Sequence, residues 1–304
     1  MRTTRLSLWI ACSALTFVSE GDPPAQIAAG PLVRLTHDGQ DKQRPNWSPD
    51  GRRLLFARHE EGGTRIRQYL LDSTSKKTPA RRLTDRSDPE CNGVFSPDGT
   101  RVLFVAITLS GTQGNLDIAV INIDGTGFTK VIDDGPKLIH QDWPSWSPDG
   151  KRFAFSSTHD GNQEVYTAAA DGTDVVRLTQ SPGLDAHPSW SPDGRSIAFA
   201  TDRWGGLELA AMGRDGSGLI RLTKSVGLDD YPAYSPDGSR LAFVSNRDGQ
   251  FEIYVAAADG SGPFNLSHHP GRDTYPTWTP DGRGITFVSE RDGGVDLFTQ
   301  TLPR

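Results

Sequence analysis

The sequence lacks several features that would each point to a particular class of protein. It has only two cysteines, Cys12 and Cys91, among 304 residues, and no run of basic residues longer than two. Its formal net charge is −6, which argues against a nucleic-acid partner, and the short basic runs argue against an anionic membrane surface. Helical periodicity is absent, and no two of the seven histidines have the spacing typical of a zinc site within one regular element.

The N-terminal residues predict an export signal. Arg2 and Arg5 precede an uncharged run, 6–18, and a small-residue segment follows it. That run has 13 residues, whereas a membrane-spanning helix needs about 20, so a cleaved signal peptide over 1–21 is favoured over an uncleaved anchor. Lipidation of Cys12 is a second alternative. We therefore expect a periplasmic or secreted protein, with a flexible leader at 22–31 and no transmembrane segment in the mature chain.

Removal of residues 1–21 would leave 30 basic and 37 acidic residues, a net charge of −7, and a single cysteine. Cys91 then has no partner for an internal disulfide. The fold must therefore be held together by its core, and Cys91 is interpreted as a small buried residue.

A four-residue motif, Ser-Pro-Asp-Gly or Thr-Pro-Asp-Gly, organises the rest of the chain. Proline favours the second position of a type I turn and glycine supplies the left-handed residue that ends it, so each copy predicts a tight hairpin corner. Successive copies begin 48, 51, 44, 44 and 44 residues apart, as expected when each unit is one four-stranded propeller blade. The six copies lie at 48–51, 96–99, 147–150, 191–194, 235–238 and 279–282.

These repeats predict an all-β fold, a six-bladed β-propeller of four-stranded antiparallel blades over residues 32–304. In the fifth repeat both faces of 240–245 are apolar, which indicates a blade packed between two neighbours. The sixth repeat ends one strand short, while residues 32–36 match 219–223 yet precede the first blade. We therefore expect the N-terminal strand to complete the last blade and close the ring, which removes an exposed edge.

The repeated pattern Pro-x-Trp-Ser-Pro-Asp-Gly, followed by x-Ala-Phe-x-Ser, Asp-Gly, Ile-Tyr and Leu-Thr, resembles the WD40-like propeller repeats of the TolB family. TolB proteins are exported, and the resemblance implies a binding role for one propeller face. TolB proper has a separate α/β domain before its propeller. Here only the ten residues 22–31 separate the predicted signal from the first strand, so we expect a propeller without that domain.

The loops that enter the innermost strands, with the turns between second and third strands, form one face of a propeller; we call it the channel face. The opposite corner face is built from the Pro-Asp-Gly and Asp-Gly turns. The residue four positions before each corner motif differs between most of the repeats. Such a varied set of side chains suits the binding of a protein, a peptide or a polar small ligand on the channel face. These six candidates are Arg44, Asn92, Trp143, His187, Tyr231 and Tyr275, and the alternative is that they only plug the channel. Trp204, in a turn on this face, is a further candidate for partner contact.

Charged residues recur in pairs around the same loops. Asp185, Asp229 and Asp273 are matched by Arg203, Arg247 and Arg291, and the first blade reverses the signs as Lys42 with Glu60. This pattern favours structural ion pairs over catalytic carboxylates.

The sequence thus predicts a monomeric, non-enzymatic binding or scaffold protein with no cofactor, whose partner is a protein or peptide, with components of the cell envelope as candidates. The alternative is a propeller lyase or hydrolase with an acid/base pair or a metal at the channel mouth. His140 and His187, in neighbouring loops, are the candidates for metal ligands.

Overall fold

Six four-stranded antiparallel sheets form the protein, one for each copy of the corner motif. The computed structural model describes residues 30–303 except 61–64, 76–77, 111–112 and 136–137. The predicted all-β six-bladed propeller is confirmed. The predicted signal peptide, 1–21, and most of the predicted leader, 22–31, lie outside the described residues.

Each blade runs outward from the channel through an inner, a second, a third and an outer strand. The inner strands are β2 (Lys42–Trp47), β6 (Glu90–Phe95), β10 (Gln141–Trp146), β14 (Asp185–Trp190), β18 (Asp229–Tyr234) and β22 (Asp273–Trp278). The second strands are β3 (Arg53–His59), β7 (Arg101–Ser110), β11 (Arg152–Ser157), β15 (Ser196–Thr201), β19 (Arg240–Ser245) and β23 (Gly284–Ser289). The third strands are β4 (Ile66–Asp72), β8 (Gln113–Asn122), β12 (Glu164–Ala169), β16 (Glu208–Gly213), β20 (Glu252–Ala257) and β24 (Asp296–Thr301). The outer strands are β5 (Arg81–Arg82), β9 (Thr129–Ile132), β13 (Val176–Arg177), β17 (Ile220–Arg221), β21 (Phe264–Asn265) and, for the last blade, β1 (Leu32–Arg34).

The corner motifs form the tight turns that their sequence predicts. In the first corner the Gly51 N–H donates to the Ser48 carbonyl oxygen at 2.9 Å, and Gly51 has a φ of +70°. Asp50 Oδ1 accepts bonds from the Ser48 hydroxyl and the Arg52 N–H. Because the aspartate satisfies donors on both sides of the turn, the motif is explained by turn geometry alone.

The core lies between the blades and is built around one phenylalanine in the middle of each second strand. Because its neighbours on both faces of the sheet are other blades, that strand is buried on both sides. Full burial of each ring contributes about 2–3 kcal/mol to folding. The six are Phe56, Phe104, Phe155, Phe199, Phe243 and Phe287, all with essentially no exposed surface.

The predicted closure by the N-terminal strand is confirmed. β1 pairs antiparallel with β24, with Leu32 opposite Gln300 and Arg34 opposite Phe298. The backbone bonds continue beyond the strand, since Gly30 N–H donates to the Thr301 carbonyl oxygen at 3.1 Å. The two ends of the described chain therefore hold each other in place.

The second blade carries an extension. The spacing of its repeat indicates that it has extra residues but does not show where in the blade they lie. β7 and β8 have ten residues each, whereas the corresponding strands of the third to sixth blades have six. The extra residues form a longer β-hairpin on the channel face, and they account for the 51-residue spacing of that repeat. The described part of the chain contains one 3₁₀ turn, Arg291–Gly293, and no helix with the length and apolar character needed to cross a membrane.

Candidate functional site

The six predicted channel-face residues share an unusual backbone conformation. Each is the third residue of its inner strand, where the register of the pairing with the second strand shifts by a bulge. Their φ angles are +43° (Arg44), +54° (Asn92), +53° (Trp143), +55° (His187), +55° (Tyr231) and +57° (Tyr275). A positive φ is strained for any residue but glycine, and such residues concentrate at functional sites. The variation among these residues was visible in the sequence, whereas the conformation was not.

The aromatic members pack on one another across the channel. The ring centroid of Trp143 lies 4.8 Å from that of His187, 4.7 Å from Tyr231 and 5.8 Å from Tyr275. Tyr231 also lies 4.4 Å from His187 and 4.9 Å from Tyr275. These distances are those of favourable aromatic pairs, so side chains from four blades form one cluster that fills the channel.

Arg44 is buried within this cluster. Its guanidinium lies 4.1 Å from the centroid of the Trp143 ring and donates to the carbonyl oxygens of Asn92, at 3.0 Å, and Pro144, at 2.6 Å. Burial lowers the pKa of Arg44 to about 9, because the charged form loses its hydration. Its cation is therefore held by carbonyl dipoles and an indole face rather than by a direct ion pair.

Two carboxylates that the sequence analysis did not single out belong to the same cluster. Asp142 Oδ1 accepts bonds from Asn92 Nδ2 at 2.6 Å and from the Trp143 N–H at 2.7 Å. Asp230 Oδ1 lies 2.5 Å from His187 Nδ1 and accepts the Tyr231 N–H at 2.7 Å. Each aspartate precedes a channel-face aromatic residue by one position, and that spacing was the only signal available for finding them.

Solvent reaches only part of the cluster. Arg44, Asn92 and Trp143 are buried, whereas His187 and Tyr231 are partly exposed, as is Tyr275. The six side chains thus divide into a buried group of three and three partly exposed rings that pack against it.

Trp204 stands apart from that cluster, in the turn between β15 and β16. Its side chain is exposed, with a relative accessibility of 38%. The Arg221 guanidinium lies 5.0 Å from the centroid of its ring. The indole is therefore accessible and only weakly constrained.

The two histidines considered as metal ligands have different surroundings. The His187 ring is engaged by Asp230 and stacked on Tyr231, while His140 is exposed and its backbone N–H donates to Thr158 Oγ1 at 3.0 Å. Among the described residues, no group of three or more His, Cys, Asp or Glu side chains could hold a metal ion.

The Asp–Arg pairs of the last three blades form as predicted. Arg247 Nη2 lies 3.0 Å from Asp229 Oδ1, Arg291 Nη2 lies 2.8 Å from Asp273 Oδ2, and Arg203 pairs with Asp185. In each pair the carboxylate is buried at the start of an inner strand. These charges are structural clamps between two loops of one blade.

The predicted Lys42–Glu60 pair is wrong. Lys42 Nζ lies 3.2 Å from Asp296 Oδ1, at the junction of the first and last blades, and also contacts Asp38. Glu60 pairs instead with Arg82. Lys42 turns toward the last blade because ring closure places the buried Asp296 beside it.

The channel opens at the corner face. Small residues line its mouth there, including Asn46, Ser189, Ala233 and Thr277, and a pocket of about 420 Å³ opens between them and the corner prolines. No charged side chain lines this pocket. The sequence analysis described the corner face only by its turns and made no prediction for the channel residues beside them.

These observations define the class of protein, a closed six-bladed propeller with one end of its channel filled by residues that differ from blade to blade. The chain belongs to the family of the TolB beta propeller domain, whose family model matches residues 137–229 and 220–303.

Known relatives share parts of this chain. It is 32% identical over 133 residues to an uncharacterized protein of Agrobacterium fabrum, covering 42% of this chain and 44% of that protein. It is 31% identical over 126 residues to the Tol-Pal system protein TolB of Thioalkalivibrio sulfidiphilus, covering 41% and 28%. The chain thus matches less than half the length of both curated relatives.

Solved structures share the fold. A putative TolB from Agrobacterium tumefaciens has a TM-score of 0.70 at 22% identity, covering 90% of this chain and 97% of that one. A gluconolactonase from Xanthomonas campestris has a TM-score of 0.67 at 18% identity, covering 90% of each. At these identities the likeness concerns the fold alone, and the fold is shared by binding proteins and enzymes.

Proposed function

We propose that this protein is an exported, monomeric binding protein that presents its channel face to a protein or peptide of the cell envelope. The observation that carries the proposal is the cluster at that face. Six blades with nearly identical corners place six side chains of five types at one structural position. A partner could therefore distinguish one orientation of the ring from the five others.

The exposure pattern indicates which residues a partner would contact. His187, Tyr231 and Tyr275 are partly exposed above a buried floor, and Trp204 is exposed on the same face. Rigid aromatic side chains lose little conformational entropy on binding, and aromatic anchors dominate protein interfaces. Trp143 and Arg44 support these rings from below.

The test is to capture partners from an envelope extract with the immobilised protein and to measure affinity for the recovered partner by calorimetry. Tyr275→Ala and Trp204→Ala should each weaken binding by more than about 1 kcal/mol. Asp237→Ala on the corner face is the control and should lower stability while sparing affinity. Unchanged affinity in both channel-face variants would refute the assignment.

A second candidate function is catalysis at the channel face, and the pair of His187 and Asp230 favours it. An imidazole held by a carboxylate at 2.5 Å has the arrangement of a general base and its orienting group. Hydrolysis of a lactone or cleavage of an acidic sugar polymer by the purified protein would support the enzyme, provided that His187→Gln abolishes it. Metal analysis of the same preparation would separate a metal-dependent lyase from this acid/base mechanism.

A further inference from the structure

The pocket at the corner-face end of the channel has no role in the proposed function. Its volume of about 420 Å³ lies within the range of sites for small ligands. The first, fourth, fifth and sixth blades form its walls, and none of the described residues that line it is charged. The cluster that fills the channel lies two residues earlier on the same inner strands. An occupant must therefore be small or insert one end, because a chain cannot pass through.

One position of the inner strands supplies the polar groups of this pocket. It is the fifth residue of each strand, and it is occupied by Asn46, Val94, Ser145, Ser189, Ala233 and Thr277. Asn46 Oδ1 accepts the Phe95 N–H at 2.8 Å, which leaves its amide N–H groups for other partners. The side chains of Ser189 and Thr277 line the pocket and have no hydrogen-bond partner among the described residues. Two hydroxyls and an amide from three blades are therefore available to a ligand.

Aromatic rings and prolines form the rest of the wall. Trp47 and Tyr234 are partly exposed there, and Trp47 Nε1 already donates to Thr286 Oγ1 at 2.9 Å. The prolines of four corner motifs complete the lining: Pro49, Pro192, Pro236 and Pro280. The wall thus offers apolar surface around the polar groups and no charge.

We propose that this pocket binds the end of an uncharged saccharide. An ion would lose its hydration here without gaining a counter-charge, which excludes acidic and basic ligands. Each hydroxyl of a sugar both donates and accepts, as do the hydroxyls of Ser189 and Thr277 that have no partner in the protein. The C–H face of a sugar ring is apolar and can pack on Trp47 or Tyr234. The site lies at the opposite end of the channel from the proposed partner surface, so it does not depend on that proposal.

The test is calorimetric titration of the full chain with three neutral trisaccharides, maltotriose, cellotriose and triacetylchitotriose. At least one of them should give saturable binding at millimolar concentration. The variant Ser189→Ala with Thr277→Ala introduces the residue that the fifth blade has at this position, Ala233, and removes no hydrogen bond from the protein. Its affinity for that trisaccharide should fall about tenfold, as expected for the loss of two hydrogen bonds, while its melting temperature stays that of the parent protein.

A matched control removes a hydroxyl at the same strand position outside the pocket. Ser145 is the fifth residue of the third inner strand and is not among the residues that line the pocket. Its hydroxyl accepts the Trp190 N–H at 3.4 Å, which is a long contact. Ser145→Ala should bind the trisaccharide within about twofold of the parent protein. Trigalacturonate, an acidic sugar of the same length, should bind at least tenfold more weakly than the neutral trisaccharide.

Four results would overturn the proposal. The first is the absence of saturable binding by all three neutral trisaccharides at about 10 mM. The second is an equal loss of affinity in Ser145→Ala and the double variant, which would mean that the sugar does not contact this pocket. The third is equal affinity for trigalacturonate, and the fourth is tighter binding of an oligoproline peptide than of any trisaccharide.

Discussion

Replacing Asp296 by asparagine should destabilise the closed ring by about 3 kcal/mol, because this carboxylate joins the two ends of the chain. Asp296 is fully buried and accepts bonds from Arg34 Nη2 and Thr36 Oγ1, both at 2.6 Å. Lys42 Nζ lies 3.2 Å away and is also fully buried. The variant leaves a buried ammonium and a guanidinium without their shared anion, and breaking a buried ion pair from one side typically costs several kcal/mol.

The fifth blade provides a matched control. Glu252 begins β20 as Asp296 begins β24, but across the blade junction it faces the buried Asp273 rather than a lysine. Burial raises the pKa of Asp273, and the charge of Glu252 raises it further. Glu252→Gln removes a like charge and can keep the bonds from Ser267 and the His269 N–H. We therefore expect a change within about 1 kcal/mol, of either sign.

Urea unfolding of the two variants, with thermal melts as a second measure, decides between these expectations. A loss of 3 kcal/mol should lower the melting temperature by roughly 6 °C or more in a domain of this size, while Glu252→Gln should melt close to the parent protein. Equal destabilisation by both substitutions would refute the argument, since it would mean that any polar change at a blade junction has the same cost.

Three further predictions concern the turns, the clamps and the channel. The Ser235 hydroxyl, which donates to Asp237, helps lower the pKa of that carboxyl to about 2, so its stabilising contribution is complete above its unfolded pKa near 4 and is lost as the pH falls through about 2. The pKa values of the other five corner aspartates are lowered as well, so the melting temperature should fall between pH 4 and pH 2. A melting temperature that stays constant over this pH range would contradict the prediction. A double-mutant cycle on Asp229→Ala and Arg247→Ala should give a coupling of about 1 kcal/mol, whereas additive costs would mean that the pair contributes nothing. Trp143→Ala should cost about 3 kcal/mol in urea unfolding because its indole is the centre of the channel cluster; a cost below 1 kcal/mol would mean that the cluster does not support the ring.

The features that the sequence predicted correctly are those with a local or periodic cause. The corner motif requires a tight turn wherever it occurs, its period indicates the size of one blade, and its six copies give the number of blades. Closure followed from counting strands in the last repeat. The clamp between Asp229 and Arg247 was predictable because its two residues are 18 positions apart in one blade and recur in the next.

The features that the sequence missed depend on contacts between distant blades. Lys42 meets Asp296 only after the ring has closed, and the two are 254 positions apart. His187 meets Asp230 across neighbouring blades, as Asn92 meets Asp142, and pairs between different repeats are not found by comparing positions within one repeat. The opening at the corner face depends on the size of channel residues such as Ser189 and Ala233, which a comparison of turns does not include.

The left-handed residues of the channel have a consequence for binding. A non-glycine residue with left-handed backbone angles costs about 1 kcal/mol or more in conformational free energy, and glycine would remove that cost. None of the six positions has glycine. Contacts must therefore offset the strain, and they run across the ring: Arg44 of the first blade donates to Pro144 of the third, and Trp143 of the third packs on Tyr275 of the sixth. The blade cores join only neighbours, whereas this cluster joins blades that are not adjacent in the ring. A partner that orders Tyr275 would therefore stabilise the whole ring and not one blade.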